Sequence, residues 1–100
     1  MDKKRVLLID DEAAFVRLLK MSLDQTGRYD VRVECSGATG LAAAQEFHPD
    51  VILLDVVMPD VDGRMVAQRL AADPGTTHIP IVFLTAAVSR EQVKAVHDPM

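Results

Sequence analysis

The chain has 100 residues, of which 49% are hydrophobic and 26% are charged, and its formal net charge is −4. This length and balance are typical of one small folded domain, which excludes a disordered chain and an assembly of several domains. The lysines and arginines are scattered rather than clustered, so no direct binding of nucleic acid is predicted.

The first half of the chain predicts two strand–helix units. Residues 5–10 (RVLLID) fit a strand buried on both faces, and residues 12–26 fit a helix. The apolar residues of that helix are Phe15, Leu18, Leu19 and Leu23. Residues 30–35 (DVRVEC) alternate with the period of a strand, and Ser36 is a candidate N-cap for the next helix. The apolar face of this second helix is predicted to hold Leu41, Ala44 and Phe47.

The second half predicts two more units of the same kind. Residues 50–55 (DVILLD) form the most apolar strand candidate, which is therefore expected to be central. A helix is expected to begin near Asp62 and to end at residues 73–75 (DPG). Its apolar residues are Val66, Ala67 and Leu70. Residues 79–85 (IPIVFLT) predict a fourth strand, and a polar helix is expected to begin near Ser89.

Strands that alternate with helices in this way predict a doubly wound α/β sandwich. The crossovers between parallel strands are right-handed and place helices on both faces of the sheet. Ligands of such folds bind outside the carboxyl ends of the strands. Residues 1–100 are therefore expected to form one domain, with its functional residues where the strands end.

Cysteine, histidine and hydropathy bound the setting of the domain. The single Cys35 cannot form an internal disulfide, and its place in an alternating apolar segment predicts a reduced, buried thiol. The three histidines are too widely spaced for a short zinc motif. No apolar run is long enough to span a membrane, and the charged amino terminus does not resemble a secretory signal. A cytoplasmic protein is predicted.

Acidic residues and a threonine close three of the predicted strands. Asp10 and Asp11 end the first, Asp55 the third and Thr85 the fourth. Two like charges about 4 Å apart repel by about 4 kcal/mol at an effective dielectric of about 20, so a cation or a proton is expected among them. Oxygen donors favour Mg²⁺, beside which a carboxylate can accept a phosphoryl group. Taken singly, Asp11 has a structural alternative as a helix N-cap.

Three motifs carry a family resemblance. They are VLLIDDE at 6–12, VILLDVVMPDVDG at 51–63 and IPIVFLTA at 79–86. Together they resemble the receiver domain of two-component response regulators. The resemblance implies a flavodoxin-like sheet with strand order 2-1-3-4 for the four units present.

The resemblance also implies a role for each site residue. Asp55 would be the phosphoacceptor, with Mg²⁺ beside it or Mn²⁺ as the alternative ion. The metal ligands would be Asp10, acting largely through water, Asp11, Asp55 and the backbone carbonyl of Val57. Thr85 would hydrogen-bond the phosphoryl group and carry the switch, and the small Ala86 would leave access for the phosphodonor.

The sequence departs from the family pattern at its carboxyl end. The family has a lysine at the tip of a fifth strand, whereas the lysines here are Lys3, Lys4, Lys20 and Lys94. The chain is therefore expected to be a receiver domain that stops before its fifth strand and last helix, with no output domain. The fourth strand would then be an exposed apolar edge, which predicts an edge-to-edge or domain-swapped homodimer.

Two functions from different classes follow. The first is a phosphorylation-dependent switch whose partners are a histidine kinase or phosphotransfer protein and an output domain or target protein at the face of the fourth helix. The second is a phosphorylation-independent interaction module. An enzyme is not expected, because the D-x-D of DVDG at 60–63 does not directly follow the apolar strand as a phosphatase nucleophile would.

Overall fold

The computed structural model describes residues 3–59 and 61–84. In chain order the elements are β1 (Lys4–Ile9), α1 (Ala13–Gln25), β2 (Tyr29–Glu34), a 3-10 turn (Gly37–Thr39), α2 (Gly40–Phe47), β3 (Val51–Asp55), α3 (Gly63–Ala72) and β4 (Ile81–Leu84). The described strands form one parallel sheet in the order β2-β1-β3-β4. The predicted fold class and strand order are confirmed.

The two central strands are aliphatic because helices cover both of their faces. Successive side chains of a strand point to opposite faces, so alternate residues of β1 enter different cores. Leu7 and Ile9 pack with residues of α2 and α3, whereas Val6 and Leu8 pack with Val16 of α1. The helices therefore lie on both sides of the sheet, as predicted.

Two residues are more exposed than their patterns predict. Helix α1 faces the sheet through Val16, with Leu19 and Leu23 partly buried, so that Leu18 points outward and is 65% exposed. Cys35 is also exposed, and the prediction of a buried thiol is wrong. Its exposure arises because β2 is an edge strand that ends at Glu34, one residue before the cysteine.

Short polar side chains begin the elements that follow β2 and β3. Ser36 Oγ accepts a hydrogen bond from the Ala38 N–H and caps the 3-10 turn, after which α2 begins at Gly40 rather than at the serine. Asp62 Oδ1 accepts from the Arg64 N–H at 2.9 Å and caps α3, which begins next to Asp62 as predicted.

The described residues test the membrane prediction but not the predictions for the carboxyl end of the chain. The helix predicted to begin near Ser89 lies outside the described residues, as does Thr85, the last residue of the predicted fourth strand. Within the described ranges, every helix is too short or too polar to cross a membrane.

Candidate metal centre

The pairing of β1 with β3 brings three carboxylates to one edge of the sheet. Ile9 is the register partner of Leu54, so the residues that follow them meet at the carboxyl ends of the two strands. One carboxylate oxygen from each of Asp10, Asp11 and Asp55 lies within 4.8 Å of the others. The structure therefore places these three predicted site residues together.

Two of the three carboxylates are buried and held by local hydrogen bonds. Asp10 and Asp55 are each 2% exposed, whereas Asp11 is exposed. The Glu12 N–H donates to Asp10 Oδ1 at 2.9 Å, and the Val57 N–H donates to Asp55 Oδ1 at 3.2 Å. Asp55 Oδ2 is buried without a hydrogen-bond partner among residues 3–59 and 61–84. Such an oxygen is rare in folded proteins and is explained by a water, an ion or a shared proton.

Burial and the neighbouring negative charges disfavour the ionised forms of Asp10 and Asp55. Burial raises the pKa of Asp55 to about 6, with further increases from the charges of Asp10 and Asp11 and from a proton that can be shared with Asp11. The Val57 N–H acts in the opposite direction. Burial likewise raises the pKa of Asp10, against the effect of the Glu12 N–H. A positive charge beside these groups would reverse both increases.

The donor set fits a hard divalent cation. Three carboxylates supply oxygen ligands, and Asp55 Oδ2, which has no partner in the part of the chain that the structure describes, offers a buried lone pair. Oxygen-rich sites with one or two direct carboxylates suit Mg²⁺ and Mn²⁺. The residues present therefore fit the predicted ion.

Gly63 fixes the segment that leads from Asp55 into α3. Its N–H donates to the Val56 carbonyl at 2.9 Å. A Cβ at this position would overlap the Asp55 carbonyl oxygen and lie 2.7 Å from the Val56 Cα. The first residue of α3 thus rests directly on the backbone of the candidate acceptor, a distance that only glycine permits.

The remaining predicted site residues are placed less fully. The Val57 N–H is at the site, and the role of the Val57 carbonyl as a ligand stays a prediction. Thr85 and Ala86 lie outside the described residues. Asp11 does not cap α1, because the N-cap residue of that helix is Glu12, without a side-chain cap bond.

Backbone N–H groups that the sequence did not predict orient the carboxylates. Four aspartates each accept a hydrogen bond from the N–H two residues later: Asp10, Asp55, Asp62 and Asp73. Aspartates at the start of a loop commonly make this Asx-type turn. An aspartate directly after a strand was therefore the available signal for the Glu12 and Val57 donors.

Comparisons of sequence identify the family. A family model described as "Response regulator receiver domain" matches residues 6–99. Response regulator PleD of Caulobacter vibrioides is 46% identical over 86 residues, which are 86% of this chain and 19% of PleD. The chain thus spans about a fifth of the length of this curated relative.

Comparisons of structure agree. Chemotaxis protein CheY4 of Vibrio cholerae has a TM-score of 0.80 and 30% identity, with 96% of this chain and 82% of CheY4 covered. The Mn²⁺-bound form of response regulator Rcp1 has a TM-score of 0.73 and 29% identity, with coverage of 95% and 74%. The fold, the acidic edge and the family match lead to one conclusion. The chain belongs to the response regulator receiver domains.

Proposed function

We propose that the chain is a phosphorylation-controlled switch of a two-component system, in which Asp55 accepts a phosphoryl group. The observation that carries the proposal is the buried Oδ2 of Asp55, which has no hydrogen-bond partner in the described part of the chain and lies within an acidic cluster. The donor would be a histidine kinase or a phosphotransfer protein. The domain acts as acceptor of the group rather than as an enzyme with a separate substrate.

The residues of the chain divide the work of the transfer. The Val57 N–H holds Asp55 Oδ1 and so fixes the orientation of the carboxylate, one oxygen of which would attack phosphorus. The O–P bond to Asp55 forms as the P–N bond of a phosphohistidine breaks, and the electron pair leaves with the histidine nitrogen. Gly63 fixes the backbone behind Asp55, so the attacking carboxylate is positioned before the donor arrives.

Asp10, Asp11 and Asp55 would hold Mg²⁺, with Mn²⁺ as the alternative, and the Val57 carbonyl is proposed as a further ligand. When bound, the ion neutralises charge that develops on the phosphoryl oxygens. The Mn²⁺ in the related Rcp1 structure supports this assignment. Asp10 is as buried as Asp55, each being 2% exposed. Its carboxylate would therefore supply negative charge at a fixed position.

The switch and the partners are proposed from the sequence motifs. Thr85 would hydrogen-bond the phosphoryl group on Asp55, and Ala86 would leave the acceptor accessible. The surface around the predicted fourth helix would then change its affinity for an output domain or target protein. A cytoplasmic location remains part of the proposal.

Self-association is proposed through β4. Among the described strands, β4 pairs with β3 alone. Val82 and Phe83 of β4 are 50% and 45% exposed, which gives this edge an apolar character. Such an edge can pair with a second copy of the chain. A monomer by light scattering at high protein concentration would contradict this part of the proposal.

Intact mass after incubation with Mg²⁺ and a small-molecule phosphodonor tests the function. The wild-type chain is expected to gain one phosphate, and Asp55→Asn is expected to gain none. Asp50→Asn is the matched control, since Asp50 directly precedes the same strand at its opposite end. A gain in Asp55→Asn would move the acceptor elsewhere. No gain in the wild type would favour the phosphorylation-independent interaction module.

A further inference from the structure

The loop between β2 and α2 packs against the segment that follows Asp55. Gly37 is buried at this contact. A Cβ at Gly37 would overlap Val61 Cγ1 and lie 3.0 Å from Met58 Cε and 3.2 Å from Val66 Cγ2. Among the described glycines a positive φ is found at Gly27 and not here, so Gly37 is required for space and not for its backbone conformation.

The β2–α2 loop has little freedom to move away from an added methyl group. Thr39 Oγ1 donates to Glu34 Oε1 at 2.7 Å and to the Ser36 carbonyl at 3.1 Å, which ties the turn to the end of β2. On the other side, a Cβ at Gly40 would lie 2.9 Å from Ile9 Cδ1, so the start of α2 already lies against β1. The strain of a larger residue at position 37 therefore falls on Val61 and Met58.

Both of those residues belong to the segment that carries the site. Met58 is buried and follows Val57, whose N–H holds Asp55. The far end of the segment is fixed by the Gly63 N–H on Val56. Because close-packed residues pass strain to their neighbours, relief of the overlap at Val61 would shift this segment, including the Val57 backbone beside Asp55.

We propose that Gly37 is a positioning residue for the acidic site, acting through Val61 and Met58 on the backbone beside Asp55. The inference rests on the proposed function in that a divalent cation is the ligand of this site. Substitution of a residue that orients a metal ligand commonly weakens metal binding about 10- to 100-fold. We therefore expect Gly37→Ala to raise the Kd for Mg²⁺ about tenfold.

The test combines Mg²⁺ titration with amide NMR of the metal-free protein. Gly37→Ala is expected to shift the Asp55 and Val57 amide resonances before any metal is added and to weaken Mg²⁺ binding. Adding Val61→Ala removes the colliding methyl group and is expected to restore both. Gly75→Ala is the matched control, because its added Cβ meets only Asp73 Oδ2, 3.2 Å away, near the amino end of β3, and it is expected to leave the Kd for Mg²⁺ unchanged.

Several results would overturn the proposal. Unchanged amide resonances and Mg²⁺ affinity in Gly37→Ala would do so, as would equal losses in Gly75→Ala or no recovery in the double variant. If Gly37→Ala does not fold, Val61→Leu enlarges the other side of the same contact and is expected to weaken Mg²⁺ binding, and unchanged binding there would also overturn it. The metal-free resonances test Gly37 even if the wild type binds no Mg²⁺, so failure of the proposed function is recognised separately.

Discussion

Strand β3 has an aspartate at each end, and the two are in opposite energetic states. Asp50, just before the strand, is exposed, and its Oδ2 accepts from the Arg5 N–H at 2.8 Å. The Asp50 N–H donates back to the Arg5 carbonyl at 2.8 Å. Asp55, the last residue of the strand, is buried with an unpartnered Oδ2 in the described part of the chain.

The amino end of β3 therefore contributes to stability, whereas its carboxyl end carries the candidate site. The exchange of hydrogen bonds between Arg5 and Asp50 strengthens the pairing of β1 with β3 at their amino ends. At the carboxyl ends, repulsion and burial oppose folding and leave a site that only a ligand completes. Functional sites commonly retain this kind of unfavourable energy, which the rest of the fold offsets.

Binding of Mg²⁺ is expected to give the largest contrast between the two ends. Asp55→Asn removes one of three clustered carboxylates and is expected to weaken Mg²⁺ binding by at least about 100-fold, whereas Asp50→Asn leaves it unchanged. Isothermal titration calorimetry measures both. Tight Mg²⁺ binding by Asp55→Asn would place the cation elsewhere.

Without metal, Asp55→Asn is expected to stabilise the fold, although the same substitution weakens Mg²⁺ binding. A pKa of about 6 in place of the ordinary 3.8 means that ionised Asp55 destabilises the fold by about 3 kcal/mol at neutral pH. Asp55→Asn should therefore raise the free energy of unfolding by up to this amount in EDTA at pH 7.5. Urea denaturation tests the change, and a less stable variant would contradict the electrostatic account.

The pH dependence of that gain gives a sharper test. Below about pH 3 Asp55 is mostly protonated in both the folded and the unfolded chain, so the difference in stability between the variant and the wild type should no longer depend on pH. Between pH 4 and 6 the unfolded carboxyl ionises first, and the wild type should lose about 1.4 kcal/mol per pH unit relative to Asp55→Asn. Above pH 6 the difference should be constant. Asp62 has the opposite sign, because the Arg64 N–H lowers its pKa, but it is common to both proteins.

The amino end is expected to give the smallest effect. Asp50→Ala removes the acceptor of the Arg5 N–H and should lower the free energy of unfolding by about 1 kcal/mol. Affinity for Mg²⁺ should be unchanged, because the substitution lies at the opposite end of the sheet. Chemical denaturation with and without Mg²⁺ checks both statements, and loss of Mg²⁺ affinity would show that the two ends are coupled.

The fold could be predicted because its main determinants are local in sequence. The aliphatic runs of β1 and β3 and the intervening helical periodicity define a parallel sheet, and parallel strands bring their carboxyl ends to one edge. Asp10 and Asp55 were found in this way, since each directly follows or closes an apolar run.

The errors and omissions depend on contacts that no local pattern records. The exposure of Leu18 follows from which stripe of α1 meets the sheet, and that of Cys35 from the early end of an edge strand. The space required at Gly37 is set by Val61, a residue of a different loop. Within residues 3–59 and 61–84, the lack of a hydrogen-bond partner for Asp55 Oδ2 likewise depends on the three-dimensional positions of the neighbouring donors.

The strand order has a consequence for the nascent chain. Asp10 and Asp55 meet because β1 lies beside β3 in the sheet. In the sequence, however, β2 lies between β1 and β3, and it pairs with the opposite edge of β1. A ribosome-bound fragment that stops before β3 would carry Asp10 and Asp11 of the cluster without Asp55. Competence to take up the ion would therefore arise only after β3 has been synthesised, and metal uptake could serve as a reporter that the crossover from β2 to β3 has closed correctly.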